Sequence, residues 1–214
     1  MKIQFDANLD YQKQAIDSIT GVFAGQETCQ TNFTVAPLQA WQEGTLFHGT
    51  EENTLGIGNR LRLLDEDIHA NIRKIQLQNG LPPSEKFSSK DGINLTIEME
   101  TGTGKTYVYL RSIFEMNRLY GFTKFIIVVP SIAIKEGVYK SLEITTNHFK
   151  ELFENTSFDY FVYDSSKLSD VRNFATSPDI QIMVINIDAF RRSFSDPELE
   201  NKANIIHRAH DRMT

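Results

Sequence analysis

The sequence predicts an α/β fold in which helices wind a parallel sheet on both faces, and three features carry that prediction. From residue 93 onward, apolar runs of strand length alternate with stretches of helical period. A turn rich in glycine and threonine, Thr101-Gly102-Thr103-Gly104-Lys105-Thr106, separates the first of those strands from the first of those helices. The length of 214 residues, with 40% hydrophobic and 23% charged, matches one ordinary water-soluble core, or one with a small appendage.

The elements follow in order. Ala15, Ile16, Ile19, Val22 and Phe23 recur at helical spacing and predict a helix over 9–23, with Asp10 placed to cap it. Residues 25–60 hold neither period for long; scattered aromatics (Phe33, Trp41, Phe47) among glycines and threonines predict a loop-rich region with one short hairpin. Ile68, Ile72 and Ile75 predict a helix over 63–77 whose first turn, Asp65-Glu66-Asp67, offsets the positive end of its dipole and reads as a solvated face rather than a metal site. The run LPPSEKFSSKDG breaks that helix and predicts an exposed connector. Strands are then predicted at 93–100, 125–129 (buried), 158–163 and 180–187, with helices at 105–120, 132–153 and 168–174 and a helical turn at 188–194. Strands alternating with helices make a parallel sheet with right-handed crossovers, whose ligands sit at the carboxyl ends of the strands.

Charge and cysteine content narrow the class. A net charge of −6 supplies no global positive field for nucleic acid or an anionic membrane, so any such contact must be local. The single cysteine, Cys29, has no partner within the chain, and the first residues, MKIQFDANLD, lack the apolar core of a signal peptide; both features point to the cytoplasm. No apolar run approaches the roughly 20 residues that cross a bilayer, which argues against a membrane protein.

The strongest chemical signal is the turn at 101–106. Gly102 and Gly104 let backbone N–H groups approach phosphate oxygens, and the helix that starts at once aims the positive end of its dipole at the same anion. Lys105 would reach the β and γ phosphates, and the Thr106 hydroxyl would ligate magnesium. A strict Walker A pattern has glycine where this chain has Met99. Upstream, Gln12 sits early in the first helix, where its amide could read an adenine edge or simply face solvent. Downstream, Pro130 and Ser131 end the second predicted strand; Ser131 is a candidate for contact with a nucleic-acid backbone and equally for an ordinary helix N-cap.

Taken together, YQKQAI, METGTGKT, FIIVVPSIAIKEGV and IMVINIDAF resemble the amino-terminal motor region of the Res subunit of type III restriction-modification enzymes, a branch of the superfamily-two helicase-like translocases. The resemblance runs from about residue 3 to residue 194. It implies a RecA-like P-loop NTPase fold: an incomplete first motor domain over 93–214, preceded by an amino-terminal appendage over 1–92 that carries a Q-motif-like helix and the loop-rich insertion. It further implies that Gln12 reads adenine, that Thr101, Gly102, Thr103, Gly104, Lys105 and Thr106 hold ATP with Mg2+, and that Pro130 and Ser131 lie on the DNA-tracking side. The implied partners of the full-length protein are DNA and a modification methyltransferase subunit.

ATP hydrolysis also needs an acid at the end of a further strand to hold magnesium, a group to position water, and an arginine. No apolar strand ending in Asp-Glu follows Lys105; Asp188 ends IMVINID but is followed by Ala189. The expectation is therefore an amino-terminal fragment that binds nucleotide without turning it over, with Asp188 as the alternative magnesium-holding acid. His207 and His210, the turn Asp196-Pro197-Glu198, and the basic residues Arg191, Arg192, Lys202, Arg208 and Arg212 read as surface features. Two other functions remain open on the residues: a P-loop small-molecule kinase and a non-catalytic nucleotide-binding module.

Overall fold

The computed structural model describes residues 5–35, 54–90, 92–164 and 166–188. Its elements are α1 (Asp10–Gly21), β1 (Gln30–Val35), β2 (Thr54–Asn59), α2 (Asp65–Gln78), α3 (Lys105–Tyr120), β3 (Lys124–Val129), α4 (Ile132–Leu152), β4 (Phe158–Val162), α5 (Leu168–Thr176) and β5 (Ile180–Asn186). They fall into two compact units interleaved along the chain. One is built from the described residues of Met1–Thr31, Gly58–Thr123 and Ile144–Thr156, the other from those of Asn32–Ile57, Lys124–Glu143 and Ser157–Thr214.

The second unit holds the parallel sheet. β5 lies between β3 and β4, and both pairings are parallel, running from Lys124↔Gln181 to Val129↔Asn186 and from Phe158↔Ile180 to Val162↔Val184. Central position explains composition: every β5 residue from Ile180 to Ile185 is buried, as a nearly unbroken apolar run requires. Its buried polar residue, Gln181, is satisfied by donating to Asp159 Oδ2 at 3.4 Å and Ser177 Oγ at 3.2 Å. Consecutive β4 residues point to opposite faces. Tyr160 meets Tyr139 of α4 edge-on at 5.3 Å, and Phe161 meets Phe174 of α5 at 6.1 Å, so the two helices cover opposite faces. The mixed α/β fold with a parallel sheet wound on both faces is thus as expected. β3 differs from its expected burial: Ile126 and Val128 are each 49% exposed. Among the described residues β3 has a neighbour on one side only, and periodicity does not reveal edge position.

In the first unit α1 packs on α2 and α3. Val22, Ile68 and Ile72 form one buried cluster with Phe23, Leu63, Ile75, Phe87 and Ile93 packed around it, using the apolar positions whose spacing predicted α1 and α2. A second core stacks Phe114 on Phe149 at 4.7 Å and on Phe153 at 5.2 Å, which joins α3 to the last turns of α4. Asp10 is the first residue of α1 rather than its cap; the cap position is Leu9, extended and without a side-chain hydrogen bond. The acids of α2 have local work: Asp67 accepts the Leu64 amide at 3.3 Å and Asp65 the Ser89 amide at 3.0 Å, and the Ser89 bonds hold the Asp65 carboxyl below its ordinary range.

Residues 93–100, expected as a strand, have no strand pairing among the described residues, and Leu95 and Ile97 are 51% and 44% exposed. Alternation supplies the apolar pattern of a strand, but a strand also needs a neighbour to satisfy its backbone. Within the region expected to be loop-rich, β1 and β2 pair as a two-stranded sheet; the residues between them lie outside the described ones. Among the described residues no helix is long and apolar enough to cross a membrane.

Candidate nucleotide-binding site

The turn at 101–106 sits in the first unit and opens α3, whose first residue is Lys105. Gly102 and Gly104 both have φ +85, the left-handed region that glycine enters without steric cost. The turn closes on one acceptor, the Glu100 carbonyl, which receives the Thr103 hydroxyl at 2.6 Å and Lys105 Nζ at 3.0 Å. The helix proper begins when the Val108 amide reaches the Gly104 carbonyl at 3.0 Å, so the amides just before it have no acceptor within the helix and are available to an anion. A Cβ on Gly102 would meet nothing within 4 Å, so the loop keeps an open face at this point. Thr101 is exposed and Thr106 half-buried. Burial pushes the Tyr109 phenol up, and a hydrogen bond with the Thr106 side chain partly offsets it.

Gln12 is brought to this loop from α1. It is buried, and its Nε2 donates to the Thr103 carbonyl at 2.9 Å across 91 positions of sequence. The fit is tight: a Cβ on Gly104 would lie 2.6 Å from Gln12 Nε2. Gln12 is therefore not a solvated residue: its amide braces the loop.

Pro130 and Ser131 lie in the other unit, at the carboxyl end of β3. Ser131 Oγ accepts the Ile134 amide at 3.3 Å, so it caps α4. Asp188 follows β5, is exposed, and donates its amide to Asn186 Oδ1 at 2.9 Å. The rest of the expected turn at 188–194, Asp196, Pro197, Glu198, His207, His210 and the basic residues from Arg191 to Arg212 lie outside the described residues.

A group of residues that sequence reasoning did not single out surrounds the start of α3. Tyr107 Oη lies 2.9 Å from His148 Nε2, Phe5 stacks on Tyr107 at 5.9 Å, and the Phe5 ring lies 5.2 Å from that of His148. Arg111 donates to the Ala7 carbonyl at 2.6 Å. The sequence signal was an arginine inside the largely apolar stretch YVYLRSIFEM, whose other charge is Glu115; its partner Ala7 is 104 positions away.

His148 carries a pH prediction. Burial first, then the Arg111 charge, push its imidazole below the ordinary value of 6.5, with Glu151 opposing. The unfolded chain therefore binds this proton more readily than the folded one. Stability from the site is complete above the unfolded value and is lost as pH falls from there through the depressed folded value. His148→Gln keeps an acceptor for the Tyr107 hydroxyl and removes the titration. Melting temperature is expected to fall less steeply in this variant than in the native chain between about pH 7 and about pH 5.5, the window of histidine titration. Parallel slopes would show that His148 does not contribute.

Comparison with known proteins fits this arrangement. Residues 7–210 match the family described as type III restriction enzyme, res subunit. The chain is 30% identical over 164 residues to the EcoPI Res subunit of Escherichia phage P1, which covers 74% of this chain and 15% of the relative. It is 30% identical over 159 residues to the EcoP15I Res subunit of Escherichia coli, covering 73% and 15%. It is 45% identical over 76 residues to the StyLTI Res subunit of Salmonella typhimurium, covering 35% and 8%. The chain thus spans about 15% of the length of the first two relatives. These matches run against the small-molecule kinase alternative. With the family match spanning nearly the whole chain, through both α1 with its Gln12 and the loop that Gln12 braces, this protein belongs to the type III restriction enzyme Res subunit family.

Proposed function

We propose that this chain is the amino-terminal, ATP-binding part of a DNA-translocating and DNA-cleaving restriction subunit. The observation that carries the reading is the contact between Gln12 and the glycine loop: a side chain able to recognise adenine is held within hydrogen-bond distance of a loop suited to phosphates. In this reading Lys105 leaves the Glu100 carbonyl for the β and γ phosphates, the α3 amides neutralise the same oxygens, and the Thr106 hydroxyl holds Mg2+. Magnesium, when bound, screens charge on the transferring phosphoryl group. Thr101, Gly102, Thr103 and Gly104 shape the cradle, and Gln12 sets the base. Pro130 and Ser131 would contact DNA at the carboxyl end of β3, in addition to the cap that Ser131 provides.

The whole protein, by the same proposal, works in the cytoplasm, couples ATP hydrolysis to movement along DNA, and acts with a modification methyltransferase subunit. Turnover is not expected from this chain, since the acid, the water-positioning group and the arginine that hydrolysis needs are not assembled on the loop by any residue identified above. The test is phosphate release from ATP with and without duplex DNA. The expected result is no DNA-stimulated release. Release abolished by Asp188→Asn would instead make Asp188 the magnesium-holding acid.

A further inference from the structure

We propose that Arg111 is a positioning residue for the nucleotide site, acting through residues 5–8 and the first turn of α1 on Gln12. The inference rests on the nucleotide-binding reading and deepens it. Arg111 lies on α3, two turns beyond the loop, with its side chain only 11% exposed. A guanidinium so placed must find partners inside the protein. One nitrogen donates to the Ala7 carbonyl at 2.6 Å and another lies 3.5 Å from Glu115, which also pairs with Arg118 at 2.7 Å. Its Nε is buried without a hydrogen-bond partner, so the orientation that holds Ala7 is kept although a buried donor is left unmet.

The segment held this way is pinned a second time. The Phe5 ring stacks on Tyr107 at 5.9 Å with 10° between planes, and Tyr107 is the third residue of α3. Between the two pins the chain turns, the Asn8 amide donating to Asp6 Oδ1 at 2.8 Å. The Leu9 carbonyl then accepts the amides of Gln12 at 3.1 Å and Lys13 at 3.0 Å, which starts α1. No side chain caps this first turn. Besides the packing of α1 on α3, the start of α1 is held through residues 5–8, by Arg111 and by the Tyr107 and His148 rings around Phe5. Five residues after Ala7, the Gln12 amide meets the Thr103 carbonyl at 2.9 Å. α3 thus holds the amino-terminal segment at one end and carries the loop at its own start. Gln12 lies between these two fixed points.

The test is a double-mutant cycle on the full chain, with calorimetric titration of magnesium-ADP as the readout. Arg111→Gln is expected to weaken binding by about fivefold or more in the native background and by less than about twofold in the Gln12→Ala background, since residues acting through one another do not add. A structural loss at Arg111 would lower affinity equally in both backgrounds, and that equality would overturn the proposal. Phe5→Ala, which leaves α3 untouched, is measured in parallel and is expected to show the same dependence on Gln12. A Phe5 variant that binds like its parent in the native background overturns the proposal even where Arg111→Gln fails to fold. Failure of the underlying reading looks different: the native chain would bind no magnesium-ADP, or Lys105→Ala would bind it as well as the native chain does.

Discussion

Lys105→Ala is expected to remove most of the affinity for magnesium-ADP while leaving the chain folded. Hydrogen bonds to charged groups contribute about 1.5–3 kcal/mol, so loss of the ammonium corresponds to a fall of roughly 10- to 150-fold. The fold has little stake in the residue. Lys105 is exposed, and among the described residues its Nζ donates to the Glu100 carbonyl, which the Thr103 hydroxyl also holds. Thermal unfolding separates the two effects. Nucleotide at a hundredfold excess over its dissociation constant stabilises the native chain by about 2.7 kcal/mol; after a hundredfold loss of affinity the same concentration supplies only about 0.4 kcal/mol. Native and Lys105→Ala chains should therefore melt together without nucleotide and apart with it. Equal shifts in both would remove the loop from the site and with it the nucleotide-binding reading.

Gly104→Ala is expected to cost both stability and nucleotide binding, and to cost more than Gly102→Ala. Both residues have φ +85, where an L side chain costs about 1–2 kcal/mol. Gly102 has open space where a Cβ would go, so the backbone cost is the whole cost there. At Gly104 the new methyl would sit 2.6 Å from Gln12 Nε2. The glutamine must swing away and lose its bond to Thr103, which adds about 0.5–1.5 kcal/mol. In total, about 1.5–3.5 kcal/mol corresponds to a fall in melting temperature of about 3–14 °C for a chain of this size. Gly104→Ala in a Gln12→Ala background should cost no more than Gly102→Ala. An equal cost for the two glycines in the native background would mean that the Gln12 contact contributes nothing.

Much of this architecture was legible before any coordinates. α3 was expected at 105–120 and spans Lys105–Tyr120, because a left-handed glycine starts it and Gly121 follows it, and both signals are local. β5 was legible for a related reason: a strand buried on both faces needs an unbroken apolar run, and IQIMVIN is nearly that. Local signals failed where a partner decides the outcome. The alternating pattern at 93–100 meets no strand among the described residues, and β3 exposes the face carrying Ile126 and Val128. Asp10 is a capping residue by type, but the chain stays extended only as far as Leu9, which places Asp10 inside the helix.

By itself the sequence determined the order and kind of the elements, the glycine loop with its lysine and threonine, and the family, because each depends on residues adjacent in the chain or repeating with a fixed period. Tertiary structure decided what those residues meet. Gln12 is a loop brace only because α1 packs on α3. Arg111 holds the segment leading to Gln12 only because Ala7 lies beside it. Such contacts join positions about a hundred residues apart, and no local spacing encodes them; they follow from which apolar faces are buried together.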